Sequence, residues 1–187
     1  MKFINWSIED INVEKKEIIT ERLLLRPIRP EDLEEYYQFS GDPDITMMIF
    51  LPHSSMDETR EFLDKYSKEW DKERPVLMEY SVVYQGHVIG GVDLEYLEST
   101  GEYEIGWELN RDYRGKGFAT EAARGLIRYA FEELGIRTII AHCDTRNIAS
   151  ENVMKKLGMT LVDNTGTRTY PRTGVVAKEC LYILKNT

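Results

Sequence analysis

The stretch Leu109-Asn-Arg-Asp-Tyr-Arg-Gly-Lys-Gly-Phe-Ala-Thr-Glu-Ala122 carries the densest signal in the chain. A strand pattern ends at Leu109, a Gly-x-Gly turn follows, and an alanine-rich helical pattern begins at once. A helix start leaves backbone N–H groups unpaired and carries the positive end of the dipole, which together make an anion site. Gly115 and Gly117 allow a diphosphate to approach the backbone without a Cβ in the way. Arg111, Arg114 and Lys116 against Asp112 give residues 111–117 a charge of +2, inside a chain at −9. A tight surface turn with solvated charges shares the glycines, but the strand before, the helix after and the basic cluster favour the anion site. The spacing of a P-loop is missing, and Thr120 stands where a dinucleotide-binding turn needs its third glycine. Such a turn also follows the first strand of a parallel sheet, and this one follows an antiparallel meander.

That meander lies immediately upstream. Met78–Tyr84 turns at Gln85-Gly86 into His87–Leu97, which turns at Ser99-Thr100-Gly101 into Glu102–Leu109. Further back, Ile18–Arg29 reads as a strand, and Pro30 opens a helix to about Ser40, stopped by Gly41-Asp42-Pro43. A short helix is expected from Asp44 and a longer one over Asp57–Lys72, with Phe62, Tyr66 and Trp70 at helical spacing. Downstream come a helix over Phe118–Leu134 closed by Gly135, a strand over Thr138–Cys143 and a helix over Ile148–Leu157. Two last strands, Thr160–Tyr170 and Val175–Leu184, face each other across Pro171–Gly174. The pattern predicts an α/β (α+β) fold: a mixed, mostly antiparallel sheet of six to seven strands with one strand–helix–strand crossover.

The 187 residues suit one domain over 1–187, with a core over about 18–185 and an N-terminal extension over 1–17. An excess of 33 acidic over 24 basic residues argues against a nucleic-acid binder. Cys143 and Cys180 offer no disulfide framework, and His53, His87 and His142 lack zinc-site spacing, so no metal is expected. No apolar run is long enough to span a bilayer and no signal peptide is visible, which points to a cytoplasmic protein without a membrane partner.

Arg114-Gly-Lys-Gly-Phe-Ala-Thr-Glu-Ala122 resembles the acetyl-CoA-binding motif of the GNAT superfamily of N-acetyltransferases. Thr20-Glu-Arg-Leu-Leu-Leu-Arg-Pro27 with Glu31-Asp-Leu33, and Asn147-Ile-Ala-Ser-Glu-Asn152 with Lys156-Leu-Gly-Met159, resemble segments of the branch containing the ribosomal-protein alanine N-acetyltransferases. The resemblance covers residues 18–185 in order and implies helices on both faces of the sheet. It implies acetyl-CoA as co-substrate, its diphosphate held by the backbone of Arg114, Gly115, Lys116, Gly117, Phe118, Ala119 and Thr120. The pantetheine arm would pair with the strand end at Trp107 and Leu109, and Asn147 and Asn152 would touch the cofactor. Asn147 as a loop residue and Asn152 as an exposed one are the plainer readings. Asp112 departs from the Gln or Arg common at its position.

Acetyl transfer to an amine needs a base, because an alkylammonium is unreactive at neutral pH. Residues 93–108 hold six carboxylates and no Lys or Arg. If Leu97 pairs with Glu102, Glu95 lies opposite Glu104, and like charges across a sheet push one pKa upward. Glu104 is thus the candidate base, through a water; a solvated acidic face is the alternative. Met154 replaces the Tyr that many superfamily members use as acid, which leaves Ser150, by analogy with the alanine branch, or water. Cys143 reads as core and not as a nucleophile. The expected partner is a peptide N-terminus or a small cationic amine such as a polyamine or aminoglycoside, for a monomer or homodimer. Two other classes remain open: an acyl-CoA-binding module without turnover, and an interaction protein using the apolar run Ile45–Leu51.

Overall fold

The computed structural model describes residues 15–42, 52–171 and 173–186. Its strands are β1 (Ile18–Ile19), β2 (Leu24–Pro27), β3 (Leu77–Tyr84), β4 (His87–Leu97), β5 (Glu102–Leu109), β6 (Thr138–Asp144), β7 (Thr160–Thr169) and β8 (Val176–Lys185). The helices are α1 (Leu33–Ser40), α2 (Met56–Glu69), α3 (Phe118–Glu132) and α4 (Ile148–Lys156). The strands form one sheet in the order β1-β2-β3-β4-β5-β6-β8-β7. Every pairing is antiparallel except β5–β6, which the α3 crossover makes parallel. The eight strands correct the expected six to seven. The difference lies in Ile18–Arg29, which is a small hairpin and not one strand. Thr20 breaks it: its N–H bonds the Leu23 carbonyl, and its hydroxyl oxygen accepts from the Leu23 N–H.

The meander has the expected registers. Gln85 and Gly86 both take positive φ in a two-residue turn, and Leu97 pairs with Glu102 and Glu95 with Glu104. The short helix expected from Asp44, and the apolar run Ile45–Leu51, lie outside the described residues. Among the described residues no helix is long and apolar enough to cross a membrane.

The main core lies between the sheet and α3, where Ala122, Ala123, Leu126 and Ala130 meet Leu25, Val82, Ile89 and Ile139. A smaller one lies under α1 and α2, built on Ile28, Tyr36, Phe39 and Leu63. Beside it the sheet buries acids. Glu79 and Glu108 are buried beneath α1, where the Tyr36 hydroxyl donates to Glu79 Oε1 at 3.0 Å, and half-buried Asp93 shares their sheet face. Glycines make the room: a Cβ on Gly106 would lie 2.3 Å from Asp93 Oδ1, and one on Gly91 2.6 Å from Glu79 Oε1. Burial, reinforced by mutual repulsion, pushes Glu79 and Glu108 up to about 8 and Asp93 well above its usual range.

Folding therefore takes up protons near neutral pH, and the sign follows. Free glutamates titrate near pH 4.3, so the folded state binds more protons than the unfolded one between roughly pH 4 and pH 8. Stability falls as pH rises through that window. The lowered acids Asp32, Glu69, Glu121 and Asp144 act in the opposite direction, but below it. Urea unfolding at several pH values should show the fall, and Glu108→Gln should flatten it by up to about 1.4 kcal/mol per pH unit. A pH slope unaltered in Glu108→Gln would mean that Glu108 is ionised in the folded protein.

Candidate functional site

The site begins where β5 and β6 part. Their ladder consists of Tyr103↔Ile139 and Glu104↔Ile140. Beyond those pairs β5 stays on β4 as far as Gly90↔Leu109, while β6 stays on β8 as far as Asp144↔Glu179. The sheet forks, and residues 105–109 of β5 keep an edge that β6 does not cover. A cavity of about 390 Å³ opens there, bounded by β5, the loop before α3 and the first turns of α4.

Most of the residues singled out from the sequence meet in that cavity. Trp107 and Leu109 line it from β5, and Arg114, Gly115, Gly117, Phe118, Ala119 and Thr120 from the loop and α3. Asn147, which caps α4, and Ser150 and Asn152 on that helix line it beside Lys156. Lys116 and Glu104 do not line it. Lys116 folds back, its Nζ donating to the Asp112 carbonyl at 2.9 Å above the Tyr113 ring. Glu104 stands at the closed end of the fork, in the last pair of the ladder.

The loop has the geometry of an anion cradle. Gly115 and Gly117 have φ of +75° and +83°, which L side chains rarely adopt, and Gly117 is the N-cap of α3. The first α3 amides are left without helical carbonyls to bond, and their residues line the cavity. The +2 charge read from 111–117 is corrected in part: Arg111 is committed to buried Asp42, with N–O distances of 2.6 and 3.1 Å. Arg114 Nε donates to the Leu109 carbonyl at 3.0 Å and fixes the loop to the strand end.

Sequence reading missed Arg22. Its guanidinium lies 4.4 Å from the Phe118 ring centroid, bonds Glu121 at 2.6 Å and reaches the Lys116 carbonyl at 3.1 Å. Glu121 also accepts from the Thr20 hydroxyl and the Arg22 N–H. Burial pushes the Glu121 carboxyl up, and these bonds more than offset it, so its pKa is lowered. The first β-hairpin thus clamps the first turn of α3. The only sequence signal was the resemblance around Thr20–Pro27, which gave Arg22 no role.

The α4 residues have local duties too. Asn147 caps the helix, its Oδ1 accepting from the Ser150 N–H at 3.1 Å. Met154 is buried in the main core and brings no hydroxyl to the site. Cys143 is buried with its sulfur 3.3 Å from that of Cys180. Burial raises its thiol pKa, the opposite of what a nucleophile needs.

The acidic strand is not one solvated face, since Glu108 is buried under α1. Burial, and then Glu104 across the ladder, raises the Glu95 carboxyl. Glu104 has a partner that the sequence did not suggest: its Oε1 lies 2.9 Å from His142 Nδ1 on β6.

The acetyltransferase (GNAT) domain family matches residues 22–160. An uncharacterized N-acetyltransferase of Bacillus subtilis (strain 168), YnaD, is 33% identical over 146 residues, 76% of this chain and 81% of that protein. Spermidine N(1)-acetyltransferase of Escherichia coli (strain K12) is 25% identical over 138 residues, 73% of this chain and 72% of that protein. The fold superposes on RimL, a ribosomal L7/L12 alpha-N-protein acetyltransferase in complex with coenzyme A, with a TM-score of 0.78. That match covers 91% of this chain and 98% of RimL at 18% identity, a likeness of fold. With a family match over most of its length, and with the forked sheet and glycine loop in place, the chain belongs to the GNAT acetyltransferase family.

Proposed function

We propose that this protein transfers the acetyl group of acetyl-CoA directly to a primary amine, with a protein or peptide N-terminus as the favoured acceptor. The observation that carries the reading is the single cavity joining the Gly115–Gly117 loop to the uncovered edge of β5. The residues suit a coenzyme A thioester. The amides of 114–120 and the α3 dipole would hold its diphosphate, and the backbone of Trp107 and Leu109 would pair with the pantetheine arm. Asn147 and Asn152 would add polar contacts from α4. The thioester supplies an activated acetyl group. The protein supplies orientation and a place for the proton that the ammonium must lose.

Glu104, at the closed end of the fork, is the carboxylate on which that proton transfer depends, and Ser150, which lines the cavity, assists the departing thiol. The buried Met154 favours an N-terminal acceptor over the polyamine and antibiotic classes, whose enzymes often keep a Tyr there. A thiol-release screen with acetyl-CoA against N-terminal peptides, polyamines and aminoglycosides tests this. Release with peptides above the others is expected. Coenzyme A binding without release for any amine would leave a binding module.

Two variants probe the site. Gly117→Asp puts a carboxylate and a strained backbone where the diphosphate would sit, and coenzyme A affinity measured by calorimetry should fall at least about tenfold, as from the loss of one charge-assisted contact. Unchanged affinity would place the cofactor elsewhere. Glu104→Gln keeps shape and loses basicity, so turnover should drop by about 10²–10⁴ with coenzyme A affinity nearly intact. Turnover within threefold of wild type would remove Glu104 from the chemistry.

A further inference from the structure

We propose that the imidazole of His142 is the group that takes the proton from the acceptor amine, with Glu104 acting through it in place of a water. The proposal rests on the acetyl-transfer reading above and adds a residue to it.

Ile140 is the last residue of β6 paired to β5, and His142 is the next residue on the same face of the strand. Its counterpart across the widening fork is Gly106, which has no side chain. Asp93 from β4 fills the space over that glycine. The imidazole therefore stands where the two strands separate. From Leu109 back to Glu104 the β5 edge runs about 17 Å, so an arm anchored at the loop and laid along that edge points toward the Glu104–His142 pair.

The 2.9 Å contact joins Glu104 Oε1 to Nδ1 and leaves Nε2 as the outer nitrogen. With Nδ1–H donating to the carboxylate, Nε2 carries the lone pair, the same division of labour that an acid–imidazole pair gives a hydrolase. The ammonium passes one proton to Nε2, and Glu104 stabilises the imidazolium. The freed nitrogen lone pair attacks the thioester carbon. As the C–N bond forms and the C–S bond breaks, nitrogen's second proton goes to the thiolate, giving amide and thiol. The imidazolium then releases its proton to water.

The surrounding charges set the direction of the pKa. The hydrogen bond to Glu104 raises that of His142 against burial, Glu179 on β8 raises it further, and Arg168 on β7 opposes them. Behind Glu104, β4 contributes Glu95 and Asp93. The acidic limb of the pH–rate profile should thus lie above the ordinary imidazole range, with activity rising as His142 loses its proton.

The test uses the full chain, acetyl-CoA and the best amine of the screen. His142→Gln should lower kcat by about 10²–10³ with coenzyme A affinity within twofold. His142→Ala should regain activity when free imidazole is added. In Glu104→Gln the acidic limb should persist but move to lower pH, because the imidazole has lost the partner that raises it. The NMR titration of His142 in wild type should share its midpoint with the kinetic limb. Wild-type turnover in His142→Gln beside a hundredfold loss in Glu104→Gln would overturn the proposal and leave Glu104 working through water. An acidic limb that vanishes in Glu104→Gln would likewise make Glu104 the proton acceptor. No transfer by the wild-type protein to any amine would bring down the acetyl-transfer reading, and this proposal with it.

Discussion

The structure turns on a parallel ladder that stops after two residue pairs. Each strand of the fork is held by its outer neighbour, β5 by β4 and β6 by β8, so neither can follow the other without breaking a longer antiparallel ladder. Strand twist then carries the two edges apart. An exposed strand edge is ordinarily a hazard, since its unpaired amides and carbonyls invite another strand. Here the edge lies inside the molecule, walled by α4 and by the loop before α3. It is available to an extended ligand and shielded from a second sheet.

The clamp on α3 ties this fork to the opposite end of the sheet. Glu121 in the first helical turn collects the Thr20 hydroxyl, the Arg22 N–H and the Arg22 guanidinium. A carboxylate near a helix N-terminus is favourable in itself, and these donors hold it charged. Arg22 also covers Phe118 and bonds the Lys116 carbonyl, so the loop that would meet phosphate is set by the chain's first hairpin. The same contacts explain why Ile18–Arg29 breaks into two strands.

Beneath α1 the protein accepts a cost of another kind. Glu79 and Glu108 are buried with Tyr36, Asp93 is half-buried on the same sheet face, and Glu108 Oε2 is a buried oxygen without a hydrogen-bond partner. Buried acids of this kind stay near neutrality by holding protons and make stability depend on pH. Glu95 and Glu104 lie on that same sheet face, so carboxyl groups from β4 and β5 face each other at the fork's closed end.

Much of the fold was legible in the sequence, because periodicity and turn residues are local. Gln85-Gly86, Ser99–Gly101 and Gly135 mark chain reversals, and the β4–β5 register followed from a single turn. Gly115 and Gly117 announced the loop, and the resemblance around it named most of the residues that line the cavity, along with Lys116, which does not. What stayed hidden was every partnership between segments distant in the chain. Arg22 with Phe118 and Glu121, Arg111 with Asp42, and Glu104 with His142 join residues 38 to 99 positions apart. Alternation placed Glu108 on a face but could not say that α1 covers it. Spacing along a chain fixes which side of an element a residue occupies. Which element lies across from it, and hence whether a charge is solvated, paired or buried, is decided only when the sheet closes around its own neighbours.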